Sequence, residues 1–260
     1  MSWWGKIAGG AFGFMLGGPL GALIGATIGH QFDTGVNALD ERVWVPGDQE
    51  RVQTAFFTAT FSVMGHVAKA DGRVSKHEIK AAEQVMASMS LSSDMRKAAI
   101  KLFNTGKQDD FPLDDVLQQF RRECYRRQTL IRLFIEIQLQ AAYADGVLHP
   151  KERNTLWHIC RQLGVTERDF ETLIGAAGAE QHAGGVSGAA RMTLDDAYSI
   201  LEITPQASDR EVKKAYRLLM SRHHPDKLVA KGLPEEMMKL ATEKTQEIRA
   251  AYELVKNSRG

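Results

Sequence analysis

The stretch Ser208–Ala230 reads SDREVKKAYRLLMSRHHPDKLVA, and its parts decide the fold. Ser208-Asp-Arg-Glu211 has the form of a capping box, in which the hydroxyl and the carboxylate each satisfy a backbone N–H at a helix start. Val212, Ala215 and Leu219 recur at three- and four-residue spacing, which predicts a helix from Ser208 to about His223 with one apolar stripe. Arg210, Lys213, Lys214 and Arg217 fall off that stripe and face water. His224-Pro225-Asp226 follows, in a loop with Lys227, Lys231 and Gly232. Residues 210–231 hold seven Lys/Arg against Glu211 and Asp226, a local excess of five positive charges. Alone, such a run is only a solvated face. Beside the H-P-D tripeptide it reads as a docking surface for an acidic partner, with charge steering the encounter.

Working outward, Asp195–Leu201 reads as a short helix ending in a turn at Thr204-Pro205. Pro234, with Glu235 and Glu236 behind it, opens a last long helix whose acids suit the helix dipole. Ala241, Thr245, Ile248, Tyr252 and Val255 give that helix a stripe facing back, so the expected unit is an antiparallel helical pair. These residues resemble a J-domain, the DnaJ signature. Asp196-Ala-Tyr198-Ser-Ile200-Leu201 is similar to its first helix, Lys213-Lys214-Ala215-Tyr216-Arg217 to its second, His224-Pro225-Asp226 to its tripeptide, and Gln246 to Leu254 to its terminal helix. The resemblance implies a co-chaperone that stimulates ATP hydrolysis by a DnaK-type ATP-dependent chaperone and does no chemistry itself. It implies partner-binding roles for His224, Pro225, Asp226, Lys213, Lys214, Tyr216, Arg217, Arg222 and Lys227. Three positions depart from the family pattern: Leu218 where a basic residue is frequent, Glu202 where a glycine is frequent, and Thr245 where a phenylalanine is frequent. The chain carries no Gly/Phe-rich segment and no cysteine-rich zinc region.

The small-residue run from Gln181 to Arg191 separates this unit from residues 50–178, where apolar residues recur at helical spacing. Seven helices are expected there, near 50–69, 75–89, 93–104, 113–124, 127–144, 150–163 and 167–176. Ser75, Ser92 and Thr166 are candidate caps, and Pro150 suits a first helical position. The pattern A-D-G-x-apolar-x-x-x-E occurs at Ala70–Glu78 and again at Ala144–Glu152, an offset of 74 residues, each time after an apolar helix. Two related helix–turn–helix units burying their stripes against each other make an all-α domain. This region resembles the TerB-like, tellurite-resistance type of domain. The resemblance implies a possible divalent-cation site at Asp71, Glu78, Asp145 and Glu152. Turn formation and capping explain the same residues, because Gly after Asp suits a left-handed turn and Ser75-x-x-Glu78 is a capping box. Both readings stay open at this point, and the domain can equally be a protein-binding platform.

From Ile7 to Gly29 the sequence IAGGAFGFMLGGPLGALIGATIG carries no charge. As a helix it is about 34 Å long, enough to cross a hydrocarbon core of about 30 Å. Trp3, Trp4 and Lys6 precede it, where an interfacial belt belongs. Gly9, Gly13, Gly17, Gly21, Gly25 and Gly29 fall on an unbroken four-residue spacing. That spacing leaves one helix face without side chains, so two backbones can approach closely, and it predicts homodimerisation through a single-pass anchor. A buried hairpin broken at Pro19, or an anchor that does not self-associate, fits the same residues.

Composition narrows the alternatives. With 33 Lys+Arg against 32 Asp+Glu the net charge is +1, which argues against a nucleic-acid binder. Two cysteines, Cys124 and Cys160, make no disulfide framework and read as buried thiols. No H-E-x-x-H, G-x-S-x-G or P-loop is present, so the chain is not expected to be an enzyme. The expectation is an all-α protein: anchor at 1–32, connector at 33–49, TerB-like domain at 50–178, linker at 179–191 and J-domain at 192–260. The order resembles the membrane-anchored DnaJ-like co-chaperones of bacteria. Because a DnaK-type partner needs ATP, the resemblance places the anchor in the inner membrane with residues 33–260 in the cytoplasm and implies no cofactor. A different class fits too: a membrane-tethered cation sensor or scaffold built on the TerB-like domain, with a weak J-domain.

Overall fold

The structure, a computed structural model, describes residues 48–70, 72, 76–143, 146–184 and 192–259, without the side chains of residues 76–78, 81 and 88. All regular structure among them is helical. In chain order the α-helices are α1 Asp48–Ala68, α2 Lys76–Ser88, α3 Ser93–Gly106, α4 Leu113–Glu123, α5 Gln128–Ala142, α6 Pro150–Leu163, α7 Glu167–Gly184, α8 Leu194–Ile200, α9 Asp209–Arg222, α10 Pro225–Ala230 and α11 Met238–Ser258. The uncharged run and its six glycines lie outside the described residues. Among the described helices none is long and apolar enough to cross a membrane.

Helix α1 is the axis of the first unit and is buried on nearly every side from Val52 to Ala68. A helix surrounded in this way needs an apolar or small side chain at each position. The sequence supplies Phe56, Phe61, Val63 and Met64 together with Thr54, Thr58, Thr60 and Ser62. The polar members are absorbed locally: the Ser62 hydroxyl donates to the Thr58 carbonyl at 2.7 Å, and Gln138 Nε2 donates to the Thr60 carbonyl at 3.0 Å. Phe56 and Phe134 flank Phe120, with ring centroids 6.1 and 4.7 Å apart, joining α1, α4 and α5. Cys124 and Cys160 are buried, and burial pushes both thiols up to about 12, as inert core residues.

The duplicated turns keep their signature. Gly72 and Gly146 have φ of 93° and 92°, the left-handed conformation that the glycine after Asp predicts. Of the expected caps, Ser75 lies outside the described residues and the others are in place. Ser92 accepts from the Met95 N–H at 3.3 Å, Thr166 from Asp169 N at 3.2 Å, and Ser208 with Glu211 forms the reciprocal box at the start of α9.

Three elements differ from expectation. Helix α7, expected to stop near 176, runs to Gly184, so residues 179–184 are helical rather than linker. Its alanines and glycines read as a small-residue spacer, yet Ala179 is buried in the core of the C-terminal unit, and that packing continues the helix. The H-P-D tripeptide, expected in a loop, opens α10, with His224 as N-cap and Pro225 at the first helical position, where its missing N–H costs nothing. The last helix begins with a 3₁₀ turn over Glu235–Met237 before α11.

The C-terminal unit pairs α9 with α11, antiparallel, over a core of Ala197, Tyr198, Leu201, Val212, Leu219, Ile248 and Val255. Tyr216 stacks on Tyr252 with centroids 4.1 Å apart. Arg259 closes the far end, donating to Tyr198 Oη at 3.0 Å and to the Ala207 carbonyl at 2.7 Å. The near end is different. Leu228, Leu233, Met237, Leu240 and Ala241 belong to the core of the first unit, so α10 and the start of α11 are seated on the bundle.

Candidate functional site

The tripeptide and the basic face are presented outward. His224 and Asp226 are exposed and Pro225 is half-buried. As N-cap, His224 accepts the Leu228 N–H on its backbone carbonyl at 3.1 Å, while its imidazole makes no capping bond. The ring is therefore free of any folding duty. Asp226 sits in the first turn of α10, where a carboxylate complements the helix dipole. On α9, Arg210, Lys213, Lys214 and Arg217 are exposed, with no carboxylate in ion-pair range among the described residues. Lys227 donates to Ser221 Oγ at 2.6 Å, which draws the end of α9 towards α10. The result is a row of unneutralised cations ending at an exposed imidazole.

Two expected partner-binding positions, and two that depart from the family pattern, have additional or different work. Tyr216 is half-buried with its ring in the α9–α11 stack. Arg222 is turned inward and reaches Glu202 Oε2 at 3.4 Å. Leu218 is 53% exposed and places an apolar side chain among the cations of α9. Thr245, at a position where phenylalanine is frequent, donates its hydroxyl to the Thr242 carbonyl at 2.8 Å.

A second feature lies directly behind the tripeptide and was not anticipated. His223 is 1% exposed, and its Nδ1 is 3.6 Å from Glu136 Oε2 on α5. That distance is too long for a hydrogen bond, and neither ring nitrogen nor Glu136 Oε2 has another partner. Arg132 on α5 donates to Glu136 Oε1 at 3.0 Å and also pairs with Glu202, while Lys244 on α11 pairs with Glu180 on α7. A buried ionic seam thus joins the two units. The one sequence signal for it is Glu202, which takes the position of a frequent glycine. Its φ is 58°, the left-handed region that favours glycine. The backbone cost of about 1 kcal/mol is offset by two arginine contacts that no glycine could make.

The charges in the seam have definite states. Burial would raise the Glu136 carboxyl, but surrounding cations bring it below its ordinary value. Burial pushes His223 down to about 4, so near neutral pH it is uncharged, and Lys244 and Arg132 keep Glu136 ionised. Lys244 is held up, against its burial, by Glu180, Glu136 and Glu247. One ammonium cannot balance three carboxylates, and burial together with Glu180 raises Glu247 to about 7.

The sign of the His223 effect follows. Between about pH 4 and pH 6.5 the unfolded chain binds a proton on this histidine that the folded chain does not, so the His223 contribution to stability is lost as pH falls through that window. Glu247 acts in the opposite sense, destabilising as pH rises from 4.5 towards about 7. Comparing His223→Phe with the parent isolates the histidine. Relative to the variant, the parent is expected to lose about 3 kcal/mol between pH 6.5 and pH 4, read by urea unfolding at each pH. A constant difference across that range would mean that His223 is not buried in its neutral form.

Of the four residues named for a cation, Asp71 and Asp145 lie outside the described residues, as does the Glu78 side chain. Glu152 is buried, and its carboxylate accepts the His149 N–H at 3.0 Å in a capping box at the start of α6. Among the described residues no group of three His, Cys, Asp or Glu is arranged to hold a metal ion.

Comparisons with known proteins agree along the whole chain. Residues 1–41 match the family described as co-chaperone DjlA transmembrane domain, residues 57–174 match tellurite resistance protein TerB, and residues 196–259 match the DnaJ domain. The co-chaperone protein DjlA of Photobacterium profundum is 44% identical over 274 residues, covering 99% of each chain. That of Escherichia coli K12 is 44% identical over 272 residues, and that of Coxiella burnetii is 46% identical over 271 residues. Each covers 100% of this chain and 99% of the relative. No solved structure matches.

Proposed function

The chain belongs to the DjlA family of co-chaperones, and on that premise we propose that its J-domain stimulates ATP hydrolysis by a DnaK-type chaperone and recruits that chaperone to the membrane. The observation that carries the reading is the exposed His224 at the end of the unneutralised cations of α9. Arg210, Lys213, Lys214 and Arg217 steer and hold an acidic partner, and the Pro225-stiffened turn delivers His224 and Asp226 to it. Contacts that favour one partner state over another shift its population towards hydrolysis. The test is single-turnover ATP hydrolysis by a DnaK-type chaperone with and without the full chain in detergent. Absence of stimulation sinks the proposal.

Residues 1–41 supply the anchor, which supports a membrane-attached protein. We place the anchor in the inner membrane with the J-domain in the cytoplasm, because a J-domain acts where ATP is available. Pairing of two chains through Gly9, Gly13, Gly17, Gly21, Gly25 and Gly29 belongs to the same reading. A reporter enzyme fused after Gly260 is expected to be active only in its cytoplasmic form, and the same reporter split between two chains is expected to reassemble. Periplasmic activity overturns the orientation, and failure of the halves to reassemble overturns the pairing. The reading as a cation sensor or scaffold is not favoured, since the relatives matched over the full chain are co-chaperones and Glu152 is engaged in capping α6.

A further inference from the structure

Helix α1, the first described element, begins at Asp48, and its contacts define which surface lies there. Arg51 on the first turn of α1 pairs with Glu123 at 2.8 Å, so the α4–α5 turn sits beside that point. The J-domain arrives at the same end: Gln49 Nε2 donates to the Val229 carbonyl at 3.5 Å, and Lys231 Nζ donates to Thr129 Oγ1 at 2.7 Å.

The turn itself reads Arg121-Arg-Glu-Cys-Tyr-Arg-Arg127. Cys124 and Leu130 are fully buried and pin it from below. Above them Arg122 and Arg126 are exposed, and Tyr125 is 70% exposed. The Arg126 guanidinium lies 5.2 Å from the Tyr125 ring centre. Arg126 also has φ of 62°, a conformation that a glycine would hold without strain. Arg121 and Arg127 are used internally, donating to the Gln162 and Glu123 carbonyls at 3.0 and 3.2 Å. Arg122 and Arg126 have no carboxylate in ion-pair range among the described residues. The acids brought to this end include Asp48 and Glu50 on α1, the already paired Glu123, Asp226 on α10, and Asp169 on α7, which lines a cavity with Gln128 and Thr129. Nothing in the packing requires an exposed tyrosine between two unneutralised arginines.

The chemistry of that group fits a bilayer surface. Tyrosine is stable at headgroup depth, with its ring in the apolar boundary and its hydroxyl in water, and arginines there meet phosphates. The tether makes such a contact easy to sustain. Only residues 30–47 separate the uncharged run from Asp48, a reach of at most about 60 Å when fully extended. A surface confined that close to the bilayer docks in an intramolecular step, so a weak contact suffices. We infer that Arg122, Tyr125 and Arg126 form a docking surface for the anionic phospholipid headgroups of the membrane that holds the chain. Docking there sets the height of α10, and of His224 with it, beside the bilayer. This inference rests on the anchor reading.

The test uses the full chain reconstituted into phosphatidylcholine vesicles with or without phosphatidylglycerol, and reads amide hydrogen exchange across residues 121–128. Phosphatidylglycerol is expected to slow exchange there at least tenfold, and raised salt to reverse it. Each arginine removed is expected to weaken docking about fivefold, so R122A/R126A loses the slowing while R122K/R126K keeps it. Equal exchange in the two vesicle types overturns the inference, and is the result expected if the patch serves an acidic protein instead. Slowing in phosphatidylcholine on addition of inorganic phosphate alone also overturns it, since the site then takes free phosphate. Flotation with phosphatidylcholine vesicles after a carbonate wash reports the anchor separately. A chain that does not float overturns the anchor and the docking together, whereas one that floats without a phosphatidylglycerol effect overturns the docking alone.

Discussion

His224→Gln is expected to reduce stimulation of a DnaK-type chaperone to its basal rate while leaving the co-chaperone as stable as the parent. The stability half follows from the geometry. The His224 imidazole is exposed and caps nothing, and the contact that matters locally comes from its backbone carbonyl, which glutamine retains. An exposed substitution of this kind costs within about 0.5 kcal/mol. The activity half follows from position, because the ring stands at the junction of the cationic face and the α10 turn. The neighbouring histidine provides the contrast. His223 is buried against Glu136, so replacing it moves stability and its pH dependence. The measurement is single-turnover ATP hydrolysis alongside urea unfolding, with the full chain. A fragment beginning near residue 192 would lose the bundle that seats Leu228, Leu233 and Met237, and a failure of that fragment would say little about His224. If His224→Gln stimulates as well as the parent, the tripeptide does not carry the activity.

The helices and the cationic face of α9 were legible because each rests on local chemistry. Ser208 and Glu211 announce the start of α9, the three/four spacing of Val212 and Leu219 sets its inner side, and the cations are what remains. Capping and periodicity act within one or two turns, which is the range over which a sequence can be read directly. The seam between the units was not legible. Arg132 and Glu136 have the spacing of an ordinary exposed helix pair, and Lys244 looks like any solvated lysine on a stripe boundary. Their burial depends on Glu180, which lies on a segment whose small residues suggest a linker, and on Glu202, whose backbone conformation is visible only in three dimensions. Long-range pairing of charges leaves no period to detect. The same limit applies to Arg122, Tyr125 and Arg126. Their residue types were apparent, but their placement beside Asp48 depends on the Arg51–Glu123 pair, 72 residues apart.

Gly65→Ala is expected to destabilise the bundle by about 3 kcal/mol or more, a large effect for the addition of a single methyl group. Gly65 lies in the last turn of α1, where α1 crosses α3. A Cβ there would stand 2.0 Å from the Phe103 carbonyl oxygen and 2.8 Å from its carbon. The relation is reciprocal, since a Cβ on Gly106 would fall 1.7 Å from the Ser62 carbonyl oxygen. These are backbone atoms inside helices, so no side-chain rotation relieves the contact. Helix α3 must withdraw by more than an ångström, taking Met95, Ala99 and Leu102 out of the core. Helix propensity pulls the other way, because alanine is favoured over glycine in a helix by up to ~1 kcal/mol, and the clash outweighs it. Gly175→Ala separates the two terms. Gly175 is helical and exposed, and a Cβ on it meets nothing within 4 Å, so it keeps the propensity gain without the clash. Urea unfolding of the two variants beside the parent is expected to move the midpoint down for Gly65→Ala and slightly up for Gly175→Ala. A Gly65→Ala variant as stable as the parent would mean that α1 and α3 do not cross backbone to backbone, and the bundle built around that crossing would have to be redrawn.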